Sequence, residues 1–77
     1  MDFLFLSEMI LFHRKKAGLS RNELATIADV GKTMIYDIEH GKQTVHFQSV
    51  MKILNVLNIQ MEFKSPFINE FKQNRNV

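Results

Sequence analysis

Between residues 20 and 41 the apolar positions fall into two short helical patterns that follow one another closely. In the first, Leu24, Ile27 and Ala28 form one stripe while Arg21, Asn22 and Thr26 face away. Ser20 stands where an N-cap is needed and Glu23 follows three residues later, the spacing of a capping box. The second pattern has Ile35 and Ile38 on its inner side and Gly41 as a left-handed stop. Asp29, Val30 and Gly31 lie between them, a connection too short for an antiparallel pair, so the two helices cross steeply. One face of the second helix then stays exposed, with Lys32, Thr33, Tyr36 and Asp37 on it.

The flanking segments complete a small helical domain. Ser7 reads as the N-cap of a helix running to about Ala17 and stopped by Gly18, with Leu6, Met9, Ile10, His13 and Ala17 turned inward. Phe3, Leu4, Phe5, Leu11 and Phe12 do not fit that stripe. So wide an apolar surface predicts contact with another chain, or else residues 1–5 fold back on the domain. A fourth pattern from Phe47 to Leu57 repeats Phe47, Val50, Ile53, Leu54 and Leu57 at helical spacing as an inner face, and Asn58 ends it. From Ile59 to Lys64 the period changes to two, with Ile59, Met61 and Phe63 alternating with Gln60, Glu62 and Lys64. That predicts a strand. A lone strand needs a partner for its backbone, either the same strand of a second copy in a symmetric dimer or residues Asp2 to Leu6 of its own chain. Ser65 and Pro66 break it; Phe67, Ile68 and Phe71 then allow a turn or two of helix, and the last five residues are expected to be disordered. The chain divides into an apolar arm (1–6), a helical domain (7–58), a dimerisation strand (59–64) and a tail (65–77).

Composition narrows the chemistry. A chain of 77 residues has room for one small core, and without cysteine it has no disulfide or thiolate zinc site to reinforce it. The net charge of +2 is too small to announce nucleic acid, but its placement is more telling. Arg14, Lys15, Lys16 and Arg21 form an acid-free run, and Lys32 and Lys42 flank the second helix of the central pair. An exposed helix with hydrogen-bonding side chains and a basic rim suits insertion into a DNA major groove. The acidic Asp2 and the interrupting Ser7 and Glu8 argue against an export signal, and no stretch approaches the roughly 20 apolar residues of a membrane span. A soluble, cytoplasmic protein is expected. No nucleophile, base and orienting residue assemble at suggestive spacing, and His13, His40 and His46 lack the spacing and companions of a metal site. Neither an enzyme nor a cofactor, metal or small-molecule substrate is expected.

Residues Gly18-Leu19-Ser20, Glu23-Leu24-Ala25, Val30, Ile35, Ile38-Glu39 and Gly41 resemble the phage-repressor (Cro-type, XRE) class of helix-turn-helix proteins, over roughly Ile10 to Phe63. Within that class, Val30-Gly31-Lys32-Thr33, the run Tyr36 to Lys42 and Leu57-Asn58-Ile59 are most similar to HipB-type antitoxins, small regulators encoded with HipA-type Ser/Thr kinase toxins. The resemblance implies a mainly α, four- or five-helix lambda-repressor-like domain, with a short C-terminal strand of Ile59, Met61 and Phe63 paired across a homodimer. It implies two recognition helices in successive major grooves of operator DNA, with base contacts from Lys32, Thr33, Tyr36 and Asp37 and phosphate contacts from Ser20, Arg21 and Lys42. Arg14 and Glu39 occupy positions that pair as a structural ion pair in this class. The implied function is a repressor of its own toxin operon that also binds a HipA-like kinase. Two alternatives stay open: a stand-alone phage-type repressor, and a protein-interaction module that has lost DNA binding. Asp29 departs from the glycine this class prefers in the turn, and His13 from an aliphatic residue.

Overall fold

The computed structural model describes residues 2–75. Five helices follow in order: α1 (Phe3–Lys16), α2 (Arg21–Ala28), α3 (Lys32–Glu39), α4 (Phe47–Val56) and α5 (Ile68–Asn74), with no strand among the described residues. None of these helices is long and apolar enough to cross a membrane.

The first four helices stop by one device. Each is followed by a left-handed residue, Gly18 (φ 73°), Asp29 (φ 58°), Gly41 (φ 86°) and Asn58 (φ 58°). The next amide then reaches back to a carbonyl in the last turn: Leu19 to Arg14 (3.1 Å), Val30 to Ala25 (3.0 Å), Lys42 to Asp37 (2.9 Å) and Ile59 to Leu54 (2.9 Å). This Schellman closure satisfies carbonyls that the helix itself cannot. At three of the four ends the apolar residue just beyond, Leu19, Val30 or Ile59, also packs against the core. The sequence expectations at Gly18, Gly41 and Asn58 agree with these stops.

Helix α2 packs on α3 and α4, and α1 packs on α3. The shared interior is Leu6 and Ile10 from α1, Leu24, Ala25 and Ala28 from α2, Ile35 and Ile38 from α3, and Val50, Ile53, Leu54 and Leu57 from α4 and the turn after it. Burying each of the larger aliphatic side chains contributes about 1.5–3 kcal/mol. This interior fixes how α3 is presented.

Several sequence expectations need correcting. Helix α1 begins at Phe3, because Asp2 caps it by accepting from the Leu4 and Phe5 amides; Ser7 lies inside the helix and its hydroxyl donates to the Phe3 carbonyl at 2.8 Å. Asp2 is therefore the cap and residues 3–6 the first turn of a helix rather than a separate arm, and Met1 lies outside the described residues. The same finding removes the strand pairing proposed for Asp2 to Leu6. The inner stripe of α1 is Leu6, Ile10 and Arg14 with Phe3 beside it, while Ala17 is exposed. On α2 the stripe takes Ala25 in place of Ile27, which is 58% exposed. Phe47 is exposed too.

Residues 59–65 form no strand within the chain. Ile59 and Met61 pack against the core while Gln60 and Glu62 face solvent, so the alternation is half realised; Phe63 breaks it by pointing outward. Gln73 and Asn74 close α5, which corrects the expected disorder there; Asn76 and Val77 lie outside the described residues.

Candidate nucleic-acid interface

The site begins with how α2 is held. Ser20 Oγ accepts from the Glu23 amide at 3.0 Å and the Ser20 amide donates to Glu23 Oε1 at 2.8 Å, the reciprocal capping box expected from the sequence. These bonds, the Ser20 amide first among them, keep the Glu23 carboxyl below its ordinary range. The side chain of Ser20 is exposed, and its own proton stays free to donate.

Helix α3 is anchored from beneath by Ile35 and Ile38 and at its end by Glu39. Arg14 approaches Glu39 as a fork, Nε to Oε2 at 2.6 Å and Nη2 to Oε1 at 3.1 Å, and its Nη1 donates to the Leu19 carbonyl at 2.9 Å. Arg21 adds a second cation, Nε to Oε1 at 2.9 Å. One carboxylate, 1% exposed, thus ties the last turn of α1 and the first turn of α2 to the end of α3. Burial pushes the Glu39 carboxyl up, but the hydrogen bonds and charges of Arg14 and Arg21 outweigh it and hold the group below the ordinary carboxylate range. The network carries one excess positive charge.

On the outer side of α3, Lys32 and Thr33 are exposed and Tyr36 is half exposed at 50%. Asp37 is less open, and Lys42 Nζ lies 3.4 Å from its Oδ2, offsetting a charge that would repel phosphate. The Tyr36 ring is stacked on His40, with centroids 3.7 Å apart and planes 19° from parallel, and the Arg21 guanidinium lies over it at 5.3 Å. The sequence points to Arg21 as a phosphate ligand alone; in the structure its Nε is engaged by Glu39. His40 is absent from the site residues that the sequence points to, although its spacing from Tyr36, one helical turn, is the signal for this contact. Beneath α2, Asp29 in the connecting turn is 97% exposed at its side chain, and Lys52 of α4 reaches its carbonyl at 3.5 Å.

The structure therefore brings Lys32, Thr33, Tyr36, Asp37, Arg21, Lys42 and Ser20 around one exposed helix, and places Arg14 and Glu39 under it. Ile59, Met61 and Phe63 stand apart, at the far end of α4. Two short helices joined by a three-residue turn, the second offering a polar face braced from behind, define a helix-turn-helix reader. Residues 13–64 match the helix-turn-helix family. The chain belongs to that family, in its XRE (Cro-type) branch. It is also similar to the uncharacterized HTH-type transcriptional regulator y4mF of Sinorhizobium fredii, at 31% identity over 61 residues that cover 79% of this chain and 80% of that protein.

Proposed function

We propose that this chain is a sequence-specific DNA-binding transcriptional repressor that reads double-stranded operator DNA as a homodimer. One observation carries the reading: α3 buries Ile35 and Ile38, is fixed at its end by Glu39, and leaves Lys32, Thr33 and Tyr36 in solvent. Lys32 suits the O6 and N7 acceptors of guanine, Thr33 either groove-edge partner, and Asp37 a cytosine amine. Ser20, Arg21 and Lys42 take phosphates and set the register. In the dimer, residues 60–64 pair their backbone with the twofold copy, bringing exposed Phe63 to the seam beside Ile59 and Met61, and half-sites lie about one helical turn of DNA apart.

Within this reading the protein is the autoregulator and antitoxin of an operon that encodes a HipA-like Ser/Thr kinase. Support comes from the resemblance of residues 30–33, 36–42 and 57–59 to HipB-type antitoxins, and from the exposed side chains of Leu4, Phe5, Phe12, Phe67 and Phe71, which a partner would cover. The similar HTH-type transcriptional regulator of Sinorhizobium fredii is equally compatible with a stand-alone repressor. The neighbouring reading frame separates the two.

Selection of duplexes from a randomised pool, followed by a salt titration on the winner, tests DNA reading. Lys32→Ala should cost about 1–3 kcal/mol of discrimination at one base position, and Lys42→Ala should weaken all sequences alike and lower the salt slope by about one. Binding indifferent to sequence and salt overturns the proposal. Co-purification with the adjacent gene product tests the kinase; its absence at micromolar concentrations removes the antitoxin role.

A further inference from the structure

Tyr36 is held by more than its own helix. Its carbonyl accepts from both the His40 amide (3.0 Å) and His40 Nδ1 (2.8 Å), and because a carbonyl only accepts, Nδ1 carries the proton. That bond fixes the imidazole in the orientation that lays it on the phenol ring at 3.7 Å. From the other helix of the motif, Arg21 holds its guanidinium over the same ring at 5.3 Å, and Arg21 is itself bonded to the buried Glu39 carboxylate. A continuous set of contacts runs from Arg14 through Glu39 and Arg21 to Tyr36, with His40 closing it at the surface. A half-exposed tyrosine on a helix would ordinarily sample several rotamers. Here the phenol is flanked on the protein before any ligand arrives.

We infer that His40 is a positioning residue for the DNA-reading Tyr36, and that Arg21 acts with it as the link between the Glu39 lock and the reading face. The inference rests on α3 being the DNA-reading helix. Tyr36 enters the groove already ordered, so its side-chain entropy is not lost on binding. Arg21 gains a role that phosphate contact alone does not describe: its charge is shared between a buried carboxylate, an aromatic face and solvent.

The probe is a duplex that the wild-type protein selects from a randomised pool, compared with an unrelated duplex. His40→Ala should weaken the selected duplex by about threefold to tenfold, the cost of ordering one side chain on binding, and leave the unrelated duplex and the salt slope unchanged. His40→Phe keeps a stacking ring without the Nδ1 bond and should recover part of the loss, with the thermal midpoint unmoved in both variants. Without DNA, the His40 ring protons should resonate upfield in the wild type and move downfield in Tyr36→Leu. Tyr36 is the chain's single tyrosine and there is no tryptophan, so intrinsic fluorescence reports that ring alone and should change in His40→Ala. If the wild type selects no sequence, the DNA-reading assignment fails and this inference with it. If it does select one, three results overturn the inference alone. They are wild-type binding by both His40 variants, a salt slope lowered by His40→Ala as loss of a phosphate ligand would lower it, and a midpoint and affinity that fall together without rescue by phenylalanine.

Discussion

The four-helix body (α1 to α4) and the C-terminal arm after it (residues 62–75) both carry large apolar side chains but use them differently. In the body, eleven apolar side chains are buried in one cluster and every helix closes on a left-handed residue. In the arm, α5 buries nothing, Phe63 and Phe67 are each 71% exposed and Phe71 is 59% exposed. The described residues span 42 by 23 by 23 Å with a radius of gyration of 14.5 Å, well above the roughly 11 Å of a compact chain of this length. Periodicity alone does not decide whether a stripe is buried. A second helix must arrive at the same face, and α1 to α4 supply one another with that face while α5 has none.

The largest break in this contrast is Glu39→Ala. The side chains of Arg14 and Glu39 are 9% and 1% exposed, so removing the carboxylate leaves a buried cation unpaired at a cost of about 3–5 kcal/mol. That is comparable to the whole stability a core of this size supplies. The variant should be largely unfolded by circular dichroism at 25 °C, whereas Glu70→Ala in the arm should leave the melting curve unchanged. A Glu39→Ala protein with a wild-type midpoint would show that the network is dispensable. The same carboxyl sets a pH dependence. Its folded pKa lies below the unfolded one, so its contribution is complete above the ordinary carboxylate range and is lost as pH falls through the folded value. The midpoint should drop on acidification, and Glu39→Gln, less stable at neutral pH, should flatten that slope.

Smaller effects distinguish the four helix ends. Gly41→Ala puts a side chain at φ 86° and should cost about 1–2 kcal/mol. Asp29→Gly removes the side chain at φ 58° and should stabilise by less than about 1 kcal/mol, since Asp already tolerates this conformation and its Lys52 partner is 4.0 Å away and solvated. Urea midpoints at neutral pH measure both. Opposite signs are the outcome that supports a strained turn at Asp29; a loss at both positions would assign Asp29 a contact the backbone does not explain.

How far the sequence could be read follows from how local each determinant is. Ser20 with Glu23, and the stops at Gly18, Gly41 and Asn58, depend on residues within one turn and are legible from spacing. The start of α1 is ambiguous in the sequence because Ser7 and Asp2 are both good caps, and the choice turns on whether Phe3 and Leu6 find a core to pack on. Ala25 and Ile27 both fit an eight-residue periodicity; the core closes on the Ala25 side, which nothing in α2 announces. At the site, Lys32, Thr33 and Tyr36 follow from one helix alone. The inward half of Arg21 depends on Glu39, 18 residues away, and only the folded chain brings them together.

The smallest effect expected is also the sharpest test of the comparison. Ending the chain after Ser65 removes Phe67, Ile68, Phe71 and all of α5, yet no residue of α5 is buried. The midpoint should move by less than about 0.5 kcal/mol equivalent, the range of surface changes, at a protein concentration low enough to keep the chain monomeric. A helix of seven residues is far below the roughly 12–15 needed for marginal stability in water, so a peptide of residues 65–77 should show no helical signal by itself. If the truncated protein instead melts several degrees lower at every concentration, the arm belongs to the body and the division fails. If it melts lower only at high concentration, the wild type gains stability by association and the arm's apolar residues do their packing in a second copy. The two regions would then differ in where their core is completed: within one chain for α1 to α4, between chains for the arm.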